Sequence, residues 1–411
     1  IIMDIAIVGA GAAGCFAAVE IKRRMPHSRV TVYERGKRPL AKVAITGGGR
    51  CNLTNSFEGI PSVETAYPRG ARLMKRLLKE FSHKDAFEWF ENAGVKLTIQ
   101  EDNCVFPVSQ DAMEIVNTLL SLMHKHGVVI RTQQKVTKIA TGRNEGYDVF
   151  TIDKEGKTNT EYYNVVVVTT GGSPKISGLD MIQDLGFDIV TPVPSLFSLC
   201  LKNNPITELT GTVVENVTSS IVGTKIKAEG PLLITHWGLS GPSILKLSSY
   251  GARYLQECDY KTNIAINWFH KDNEASVCEQ LTSLALNNQH KQLQNVYPQR
   301  FNSRLWSYLL HCSGLNPMLR WAELGRKGQN KLVATLTNQQ FVIDGKNRFK
   351  EEFVTCGGVA LGNINPSTLE SKKYPGLYFA GEVLDVDAIT GGFNLQAAWT
   401  MAFVVAKSCI K

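Results

Sequence analysis

Three glycines close to the start of the chain have a spacing that suits dinucleotide chemistry. Gly9, Gly11 and Gly14 form the pattern G-x-G-x-x-G, and Glu34 follows twenty residues after the third glycine. Such glycines allow a tight turn, a close approach of the backbone to a pyrophosphate, and close helix–strand packing. The carboxylate of Glu34 is placed to accept hydrogen bonds from the ribose hydroxyls of an adenosine. The pattern predicts a dinucleotide site.

The local sequence context makes this prediction more specific than the glycines alone. Residues 4–8 are predicted to be a buried strand, residues up to about 24 a helix, and residues 30–33 a second strand. A right-handed crossover would make the two strands parallel, and the helix N-terminus would present free amides to phosphates. The alternative is a glycine-rich turn with a purely structural role.

A second candidate region lies near the C-terminus. Residues 376–382 (GLYFAGE) suggest a strand that delivers Gly381 and Glu382, and residues 391–394 (GGFN) open a helix that runs to about residue 407. Glu382 is placed to bind ribityl hydroxyls, and the helix N-terminus could stabilise negative charge on a reduced flavin ring. This region favours FAD over a nicotinamide cofactor. The alternative is a surface turn with an exposed acid.

A third glycine-rich segment, residues 46–55 (TGGGRCNLTN), allows close approach of backbone to a ring or a phosphate. Arg50 could neutralise a phosphate with a forked contact. Cys51 has no basic neighbour except Arg50, so a buried structural thiol is favoured over a nucleophile.

The catalytic residues are not identified by any motif. His236 is a weak candidate for a proton donor or base, and the alternative is a histidine satisfied by backbone groups. Asp385 and Asp387 could bind a cationic substrate or cap the turn at Gly391, and the sequence leaves this choice open.

Composition excludes several other classes of function. The nine cysteines form no C-x-x-C pair, which argues against a redox dithiol and a disulfide framework and favours a reducing compartment. The eight histidines have no metal-ligand spacing, so no metal site is expected. No apolar run suits a membrane span and no secretory signal is evident, so we expect a cytoplasmic protein without membrane association.

The net charge of +8 raises the question of a nucleic-acid partner. Most basic residues are interspersed with acids, which is typical of solvated helix faces. A small-molecule substrate is therefore favoured over nucleic acid. Oligomeric state is left open.

Sequence patterns also predict individual elements. Ser82 and Asp85 form a capping box, and Ser109 is expected to cap a helix with an apolar face of Met113, Val116, Leu120 and Met123. Residues 128–163 look like a β-meander, residues 164–170 like a strand, and residues 329–342 like β structure.

Three segments resemble a known family: residues 44–55 (AITGGGRCNLTN), 235–242 (THWGLSGP) and 376–396 (GLYFAGEVLDVDAITGGFNLQ). They are similar to the bacterial BaiN-like, or aminoacetone-oxidase-like, NAD(P)/FAD-dependent oxidoreductases. Three departures are Asn103-Cys104 in place of the family's usual Gly-Arg, Ala388 in place of a glycine, and Thr400-Met401 where small residues are common.

The resemblance implies an α/β fold with a Rossmann-like, glutathione-reductase-like three-layer FAD domain and inserted β-barrel and helical domains. The expected boundaries are 1–190 with 345–411 for the FAD domain, 191–265 with 325–344 for the barrel, and 266–324 for the helical domain. Together, motifs and resemblance give one set of predicted cofactor-binding residues: Gly9, Ala10, Gly11, Ala12, Ala13, Gly14, Glu34, Arg35, Lys42, Gly48, Gly49, Arg50, Asn52, Val136, Gly171, Gly381, Glu382, Gly392, Phe393, Asn394 and Leu395.

The predicted function is an FAD-dependent oxidoreductase acting on a small organic substrate, by amine or amino ketone oxidation or by enone reduction. NAD(P)H is a possible electron donor, although only one glycine fingerprint is present. The alternatives are a flavin-dependent RNA-modifying protein and a non-catalytic FAD-binding protein.

Overall fold

The computed structural model describes residues 2–142, 145–173, 175–347 and 354–410 of the chain. These residues form two compact units, and each is described by itself below. The first unit comprises residues 1–193 and 354–411, and the second comprises residues 194–353.

Strands occur along the whole described chain. In chain order they are β1 (Asp4–Val8), β2 (Arg29–Glu34), β3 (Thr54–Asn55), β4 (Leu97–Ile99), β5 (Cys104–Pro107), β6 (Val129–Thr132), β7 (Gln134–Thr141), β8 (Tyr147–Asp153), β9 (Thr158–Tyr163), β10 (Val165–Val168), β11 (Ile189–Ser195), β12 (Leu199–Cys200), β13 (Val213–Ile221), β14 (Lys227–Thr235), β15 (Gly238–Ser240), β16 (Lys261–Asn267), β17 (Gln339–Asp344), β18 (Val354–Val359) and β19 (Leu377–Phe379).

The α-helices of the described residues are α1 (Ala12–Arg24), α2 (Ala41–Gly49), α3 (Val63–Ala66), α4 (Ala71–Leu77), α5 (His83–Asn92), α6 (Ala112–Lys125), α7 (Asp180–Gln183), α8 (Pro242–Tyr250), α9 (Ala252–Glu257), α10 (Glu274–Asn287), α11 (Ser303–Cys312), α12 (Gly325–Asn338) and α13 (Phe393–Ser408). Helix α2 is interrupted at residues 46–48, whose backbone angles are not helical. Among the described residues, we find no helix whose length and apolarity would suffice to cross a bilayer.

The first unit is built on a five-stranded parallel sheet with the order β19-β10-β1-β2-β6. Strand β10 consists of four valines, all buried, as expected for a strand covered by helices on both faces. Helix α1 connects β1 to β2 and packs against α13. The predicted Rossmann-like α/β fold is confirmed.

The predicted β-meander is partly wrong. Strands β7, β8 and β9 do form a three-stranded antiparallel sheet, but β6 pairs in parallel with β2 and belongs to the main sheet. The turn residue Gln133, with a φ of 56°, separates β6 from β7. Sequence alternation identifies a strand but does not say which sheet it joins, because the partner is distant in the chain.

Helix caps gave one correct and one incorrect prediction. The capping box of Ser82 and Asp85 is present at the start of α5. Helix α6, by contrast, is capped by Asp111, whose carboxylate accepts from the Met113 amide at 2.8 Å, and not by Ser109. The Ser109 hydroxyl instead bonds to the carboxylate of Glu114.

The apolar face predicted for α6 is also displaced from the observed one. Met113 is 42% exposed and Leu120 is half-buried. The residues that α6 buries are Ala112, Ile115, Val116, Leu119 and Met123. The physical reason is that tertiary packing selects a stripe centred on Ile115 and Leu119, where the chain offers apolar residues on two neighbouring stripes.

The second unit contains a six-stranded antiparallel sheet with the order β12-β15-β14-β13-β16-β17. Its two edge strands are joined by a hydrogen bond from the Cys200 amide to the Gly345 carbonyl at 2.9 Å and by a bridge between Leu199 and Lys346. The sheet is therefore barrel-like. Helices α10, α11 and α12 contribute Leu281, Trp306 and Leu336, respectively, among others, to the unit's apolar core.

The β structure predicted for residues 329–342 is wrong over most of its length, because α12 continues to Asn338 and only β17 is a strand. The β-branched residues Thr335 and Thr337 donate from their hydroxyls to the carbonyls of Lys331 and Val333, four residues back. Leu332 and Leu336 are fully buried on one face. Core packing thus overrides local β propensity.

Candidate functional site

The carboxyl edge of the parallel sheet collects most of the residues predicted to bind a cofactor. Gly9 follows β1, Glu34 ends β2, Gly171 follows β10, and Gly381 with Glu382 follows β19. Ligands of open α/β sheets bind at this edge, outside the carboxyl ends of the strands. Residues far apart in the chain are thereby brought together.

The turn at residues 9–14 is as tight as its glycines imply. Gly9 has a φ of 110°, and a Cβ atom there would lie 2.5 Å from the Thr169 carbonyl oxygen. A Cβ atom at Gly14 would lie 2.0 Å from the Gly9 oxygen, which explains the close packing of α1 against the sheet. Both glycines are required by the protein's own packing.

Gly11 differs from its two neighbours in the motif. Its φ of −87° is ordinary for any residue, and a Cβ atom there would have no other protein atom within 4 Å. Nothing in the fold therefore requires a glycine at the N-cap of α1. Open space beside a helix N-terminus fits the pyrophosphate of a dinucleotide, which a side chain would obstruct.

Glu34 is held against the glycine turn. Its carboxylate accepts from the Gly36 amide at 2.6 Å and from the Ala10 amide at 3.1 Å. Arg35, the next residue, is exposed. Val136 is buried in β7 beside a register shift between Val136 and Lys138.

The end of β19 lies against the start of α1. Gly381 has a φ of 81°, and a Cβ atom there would be 3.0 Å from the Cβ of Ala13. The Glu382 carboxylate accepts from the Thr355 amide at 2.7 Å and lies 3.8 Å from the Lys42 ammonium. Glu382 and Lys42 are thus neighbours in space, although they lie near opposite ends of the chain.

The segment 46–55 contacts the start of α13 through its polar residues. The side-chain amide of Asn52 lies between the Thr54 carbonyl and the Gly392 amide, and both are satisfied when its nitrogen donates to the former at 3.1 Å and its oxygen accepts from the latter at 3.3 Å. Asn55 donates to the Gly391 carbonyl at 3.0 Å. A Cβ atom at Gly392 would lie 2.3 Å from the Thr54 oxygen. The first and last parts of the chain therefore meet at this site.

Other contacts fix the body of α13 and the loop before it. The Trp399 indole donates to the Leu53 carbonyl at 3.0 Å, and the Thr54 hydroxyl bonds to Gln396 at 2.6 Å. The side chain of Asn394 both donates to and accepts from the backbone of Ala388, at 2.9 Å each. Phe393 is buried, while Leu395 is half-buried.

The glycine-rich loop itself is partly exposed. Gly48 and Gly49 have φ values of 68° and 83°, and Cβ atoms there would meet no protein atom within 4 Å. The Arg50 guanidinium stacks over the Phe106 ring at 4.4 Å and donates from Nε to the Gly47 carbonyl at 3.2 Å.

Cys51 is fully buried, as predicted for a structural thiol. Burial raises the pKa of its thiol to about 12, so the neutral form dominates at physiological pH. Cys104, in the segment that departs from the family pattern, is also buried, and Asn103 donates to the Glu58 carbonyl at 2.8 Å.

No sequence pattern singled out Arg69 as a candidate functional residue. It forms a forked ion pair with Asp387, with Nε and Oδ1 2.6 Å apart. Burial acts to lower the pKa of the Arg69 guanidinium, but the hydrogen bonds and charge of Asp387 outweigh it and raise the pKa. Asp387 is therefore paired with Arg69, a partner that neither of the two roles considered from the sequence had included.

His236 belongs to the second unit, whereas the predicted cofactor-binding residues lie in the first. It is exposed in the two-residue turn between β14 and β15, with its ring 4.3 Å from that of Trp237. Among the described residues, no group of three or more acids, histidines and cysteines is arranged to hold a metal ion.

Comparison with known families decides what kind of dinucleotide-binding protein this is. The HI0933-like protein Rossmann domain matches residues 3–408. The chain belongs to this family. Membership confirms the family resemblance identified from residues 44–55, 235–242 and 376–396, and it makes the protein an FAD-dependent oxidoreductase of Rossmann type.

Curated relatives of this family member match it from end to end. The ribosomal RNA dihydrouridine synthase of Escherichia coli is 29% identical, covering 99% of this chain and 98% of the relative. The 3-dehydro-bile acid delta(4,6)-reductase of Clostridium scindens is 27% identical, covering 98% of each chain.

Solved structures show that the fold is shared more widely. The 3-ketosteroid-delta4-(5alpha)-dehydrogenase of Rhodococcus jostii aligns with a TM-score of 0.51 and 15% identity, covering 100% of this chain and 97% of that one. A quinol-fumarate reductase aligns with a TM-score of 0.52 and 12% identity, covering 99% of this chain and 70% of that one. At these identities the likeness concerns the fold alone.

Proposed function

We propose that this flavoprotein reduces a carbon–carbon double bond conjugated with a carbonyl group, using FAD held at the carboxyl edge of the parallel sheet. The single observation that carries the cofactor's placement is Gly11, the N-cap of α1, which has ordinary backbone angles and open space where a side chain would be. A pyrophosphate beside the N-terminus of α1 accounts for the choice of glycine there.

The remaining predicted residues would hold other parts of the cofactor. The Glu34 carboxylate would accept from the adenosine ribose hydroxyls while keeping its bond to the Ala10 amide. Val136 would contact the adenine through its backbone. Lys42 and Arg50 would lie near phosphates, and Glu382 would accept from ribityl hydroxyls. FAD, when bound, supplies the two-electron hydride chemistry, and the protein orients its ring.

The start of α13 would face the pyrimidine edge of the flavin ring. Gly392 and the residues after it have backbone amides without partners within the helix, and the helix dipole places partial positive charge at this end. Such an end stabilises the negative charge of reduced flavin. The contact between Asn52 and Gly392 would keep segment 46–55 against the same edge of the ring.

The reaction class is supported by what the full-length relatives share. Dihydrouridine formation and reduction of a 3-oxo-Δ4,6 bile acid both add hydrogen across a ring double bond conjugated with a carbonyl. Among the predicted substrate classes, enone reduction is therefore favoured over amine or amino ketone oxidation. NAD(P)H is the proposed hydride donor, bound without a dinucleotide domain of its own.

Anaerobic stopped-flow mixing tests this proposal. NADPH is expected to bleach the flavin absorption, and a cyclic enone added afterwards is expected to restore it. Bleaching of oxidised enzyme by an amino ketone, with no response to enones, would replace reduction by oxidation. A flavin that no donor reduces would leave the non-catalytic FAD-binding alternative.

A second candidate substrate is a uracil ring in RNA, and the charge of the second unit favours it. Residues 280–343 contain seven lysines and arginines (Lys291, Arg300, Arg304, Arg320, Arg326, Lys327 and Lys331) and one acid, Glu323. We refer to residues 280–343 as the basic helical segment. Six of the seven are exposed and form no salt bridge with another described residue: Lys291, Arg304, Arg320, Arg326, Lys327 and Lys331.

Exposed basic side chains without an ion-pair partner contribute little to the stability of the fold. Helix α12 has Arg326 and Lys327 in its first turn and no acid there, which is unfavourable at the positive end of a helix. Phosphates of RNA would compensate these charges. Retention of ribosomal RNA that falls steeply between 50 and 200 mM salt, with dihydrouridine in the product, would support RNA as the substrate. Enone turnover without any RNA retention would support the small molecule.

A further inference from the structure

The residues just before α13 are held by a short segment from much earlier in the chain. We call residues 385–391 the C-terminal loop and residues 66–70 the clamp segment. Both belong to the first unit. The C-terminal loop leads directly into Gly392 and the first turn of α13, so whatever fixes the loop also fixes the start of that helix.

The main contact between them is the ion pair of Arg69 and Asp387. Two guanidinium nitrogens bond to the two carboxylate oxygens, and the backbones of the same residues form an antiparallel bridge. The side chain of Asp387 is 0% exposed and that of Arg69 is 17% exposed. A forked pair in such surroundings is geometrically restrictive, because both planar groups must align.

Three further contacts reinforce the same junction. The Ile389 amide donates to the Ala66 carbonyl at 2.9 Å. The Tyr67 hydroxyl, which is buried, donates to the Phe393 carbonyl at 2.9 Å, in the first turn of α13. A Cβ atom at Gly70 would lie 2.5 Å from the Val386 side chain, so the two backbones cannot separate or shift without losing this packing.

We propose that Arg69 is a positioning residue which, through Asp387, holds the first turn of α13 at the flavin and so raises the affinity for reduced relative to oxidised FAD. The inference rests on the proposed placement of FAD. The stabilisation that a helix end gives to a charge falls off within the first turn, so a small displacement of Gly392 and Phe393 weakens it.

A purely electrostatic role for the pair would give a different pattern. Removing the positive charge of Arg69 would then disfavour the reduced, more negative flavin, whereas removing the negative charge of Asp387 would favour it. Positioning predicts that both changes act in the same direction, because either one opens the fork. The sign of the two effects therefore separates the two mechanisms.

The experiment compares Arg69→Gln and Asp387→Asn by redox titration of the bound flavin against a dye of known potential. Each variant is expected to lower the ratio of affinities for reduced and oxidised FAD about tenfold, which corresponds to ~30 mV for a two-electron couple. Arg69→Lys keeps the charge but not the fork, and it is expected to behave like Arg69→Gln.

Arg29→Gln is the matched control. Arg29 forms a similar forked pair with Asp4, but at the amino edge of the same sheet, and its side chain is 71% exposed. Its potential is expected to equal that of the unmodified protein. Opposite shifts for Arg69→Gln and Asp387→Asn, or no shift in either, would overturn the proposal.

A milder variant keeps the test decisive if the ion-pair variants do not fold. Tyr67→Phe removes only the hydroxyl that bonds to Phe393 and is expected to shift the potential in the same direction by a smaller amount. An unchanged potential in a folded Tyr67→Phe protein would then count against positioning. Unmodified protein that takes up no FAD would instead refute the proposed function, which distinguishes the two failures.

Discussion

At the carboxyl edge of the parallel sheet, polar side chains form hydrogen bonds with specific neighbours. In the basic helical segment of the second unit, by contrast, most of the charged side chains are exposed to solvent. Glu34, Asn52 and Asp387 each have hydrogen-bond partners that fix their geometry. Arg326, Lys327 and Lys331 are exposed and form no salt bridge with any described residue. The first region therefore contains polar groups held in fixed geometry, and the second contains charged groups that are free to contact a ligand at the surface.

The difference has a physical basis. Positioning a ring or a pyrophosphate requires groups held by packing and hydrogen bonds, and the free energy involved depends on geometry. Attraction of a polyanion requires charge near the surface, and the free energy involved depends on the number of contacts and on salt. Substitutions in the two regions are accordingly expected to differ in size, in salt dependence and in the ligand affected.

The largest effect is expected for Gly11→Val. The side chain would enter the space that we assign to the pyrophosphate, and overpacking of ~3 kcal/mol would weaken FAD binding about 100-fold or more. The protein should stay folded, because Gly11 has ordinary backbone angles and no close neighbour. Isothermal titration of the apoprotein with FAD would measure the affinity.

Gly362→Val is a suitable control for that substitution. Gly362 lies in the same unit, and a Cβ atom there would also meet no protein atom within 4 Å. FAD affinity should be unchanged in this variant. Equal FAD affinities for the two variants would show that the open space at Gly11 has no bearing on the cofactor.

Glu34→Ala is expected to have the next largest effect. Loss of hydrogen bonds between a carboxylate and the ribose hydroxyls corresponds to about 1.5–3 kcal/mol, and so to FAD binding roughly 10- to 100-fold weaker. The loss of FAD affinity should be nearly independent of salt concentration, because these hydrogen bonds depend on geometry and not on the number of phosphate contacts. Protein carrying Glu34→Ala that stays fully yellow through dialysis would contradict the assigned position of the ribose.

The triple substitution Arg326→Gln, Lys327→Gln and Lys331→Gln probes the other region. If these residues contact phosphates, the slope of the logarithm of RNA affinity against that of salt concentration should fall by about 2–3. FAD content should not change. Filter binding to ribosomal RNA at several salt concentrations would measure the slope. A slope equal to that of the unmodified protein would show that these α12 residues do not contact RNA phosphates.

The smallest effect is expected for thiol chemistry at the carboxyl edge. Because burial raises the pKa of Cys51 to about 12, its thiol should stay neutral and unalkylated at pH 9, where an ordinary thiol is largely ionised. Cys258 of the second unit, which is partly exposed, should react under the same conditions. Mass spectrometry after brief treatment with iodoacetamide would locate the modified residues, with denatured protein as the fully reactive control.

Burial of the same thiol also predicts the direction in which the free energy of unfolding changes with pH. The folded-state pKa lies above the unfolded value of about 8.5, so Cys51 contributes stability that is complete below pH ~8.5 and is lost progressively as pH rises towards about 12. Cys51→Ala should reduce the loss of thermal stability between pH 8.5 and 10.

Local patterns were sufficient for the elements whose signals are contained in neighbouring residues. The strand, glycine turn and helix of residues 4–24 and the capping box of Ser82 and Asp85 are confirmed because their geometry depends on nearby backbone groups. The predictions that are wrong concern elements whose structure depends on contacts with residues distant in the chain. Core packing keeps residues 329–338 helical, and pairing with β2 draws β6 into the main sheet.

The sequence by itself determined the Rossmann-type FAD unit, since the glycine spacing and the motifs of residues 44–55 and 376–396 restrict the local backbone. Only the tertiary structure decided that Arg69 pairs with Asp387, that Asn52 bonds to Gly392, and that Glu382 neighbours Lys42. These partners are separated by more than 300 residues of chain. No local pattern encodes such pairs, because their contact arises from the order of strands in the sheet and from the packing of α13 against α1.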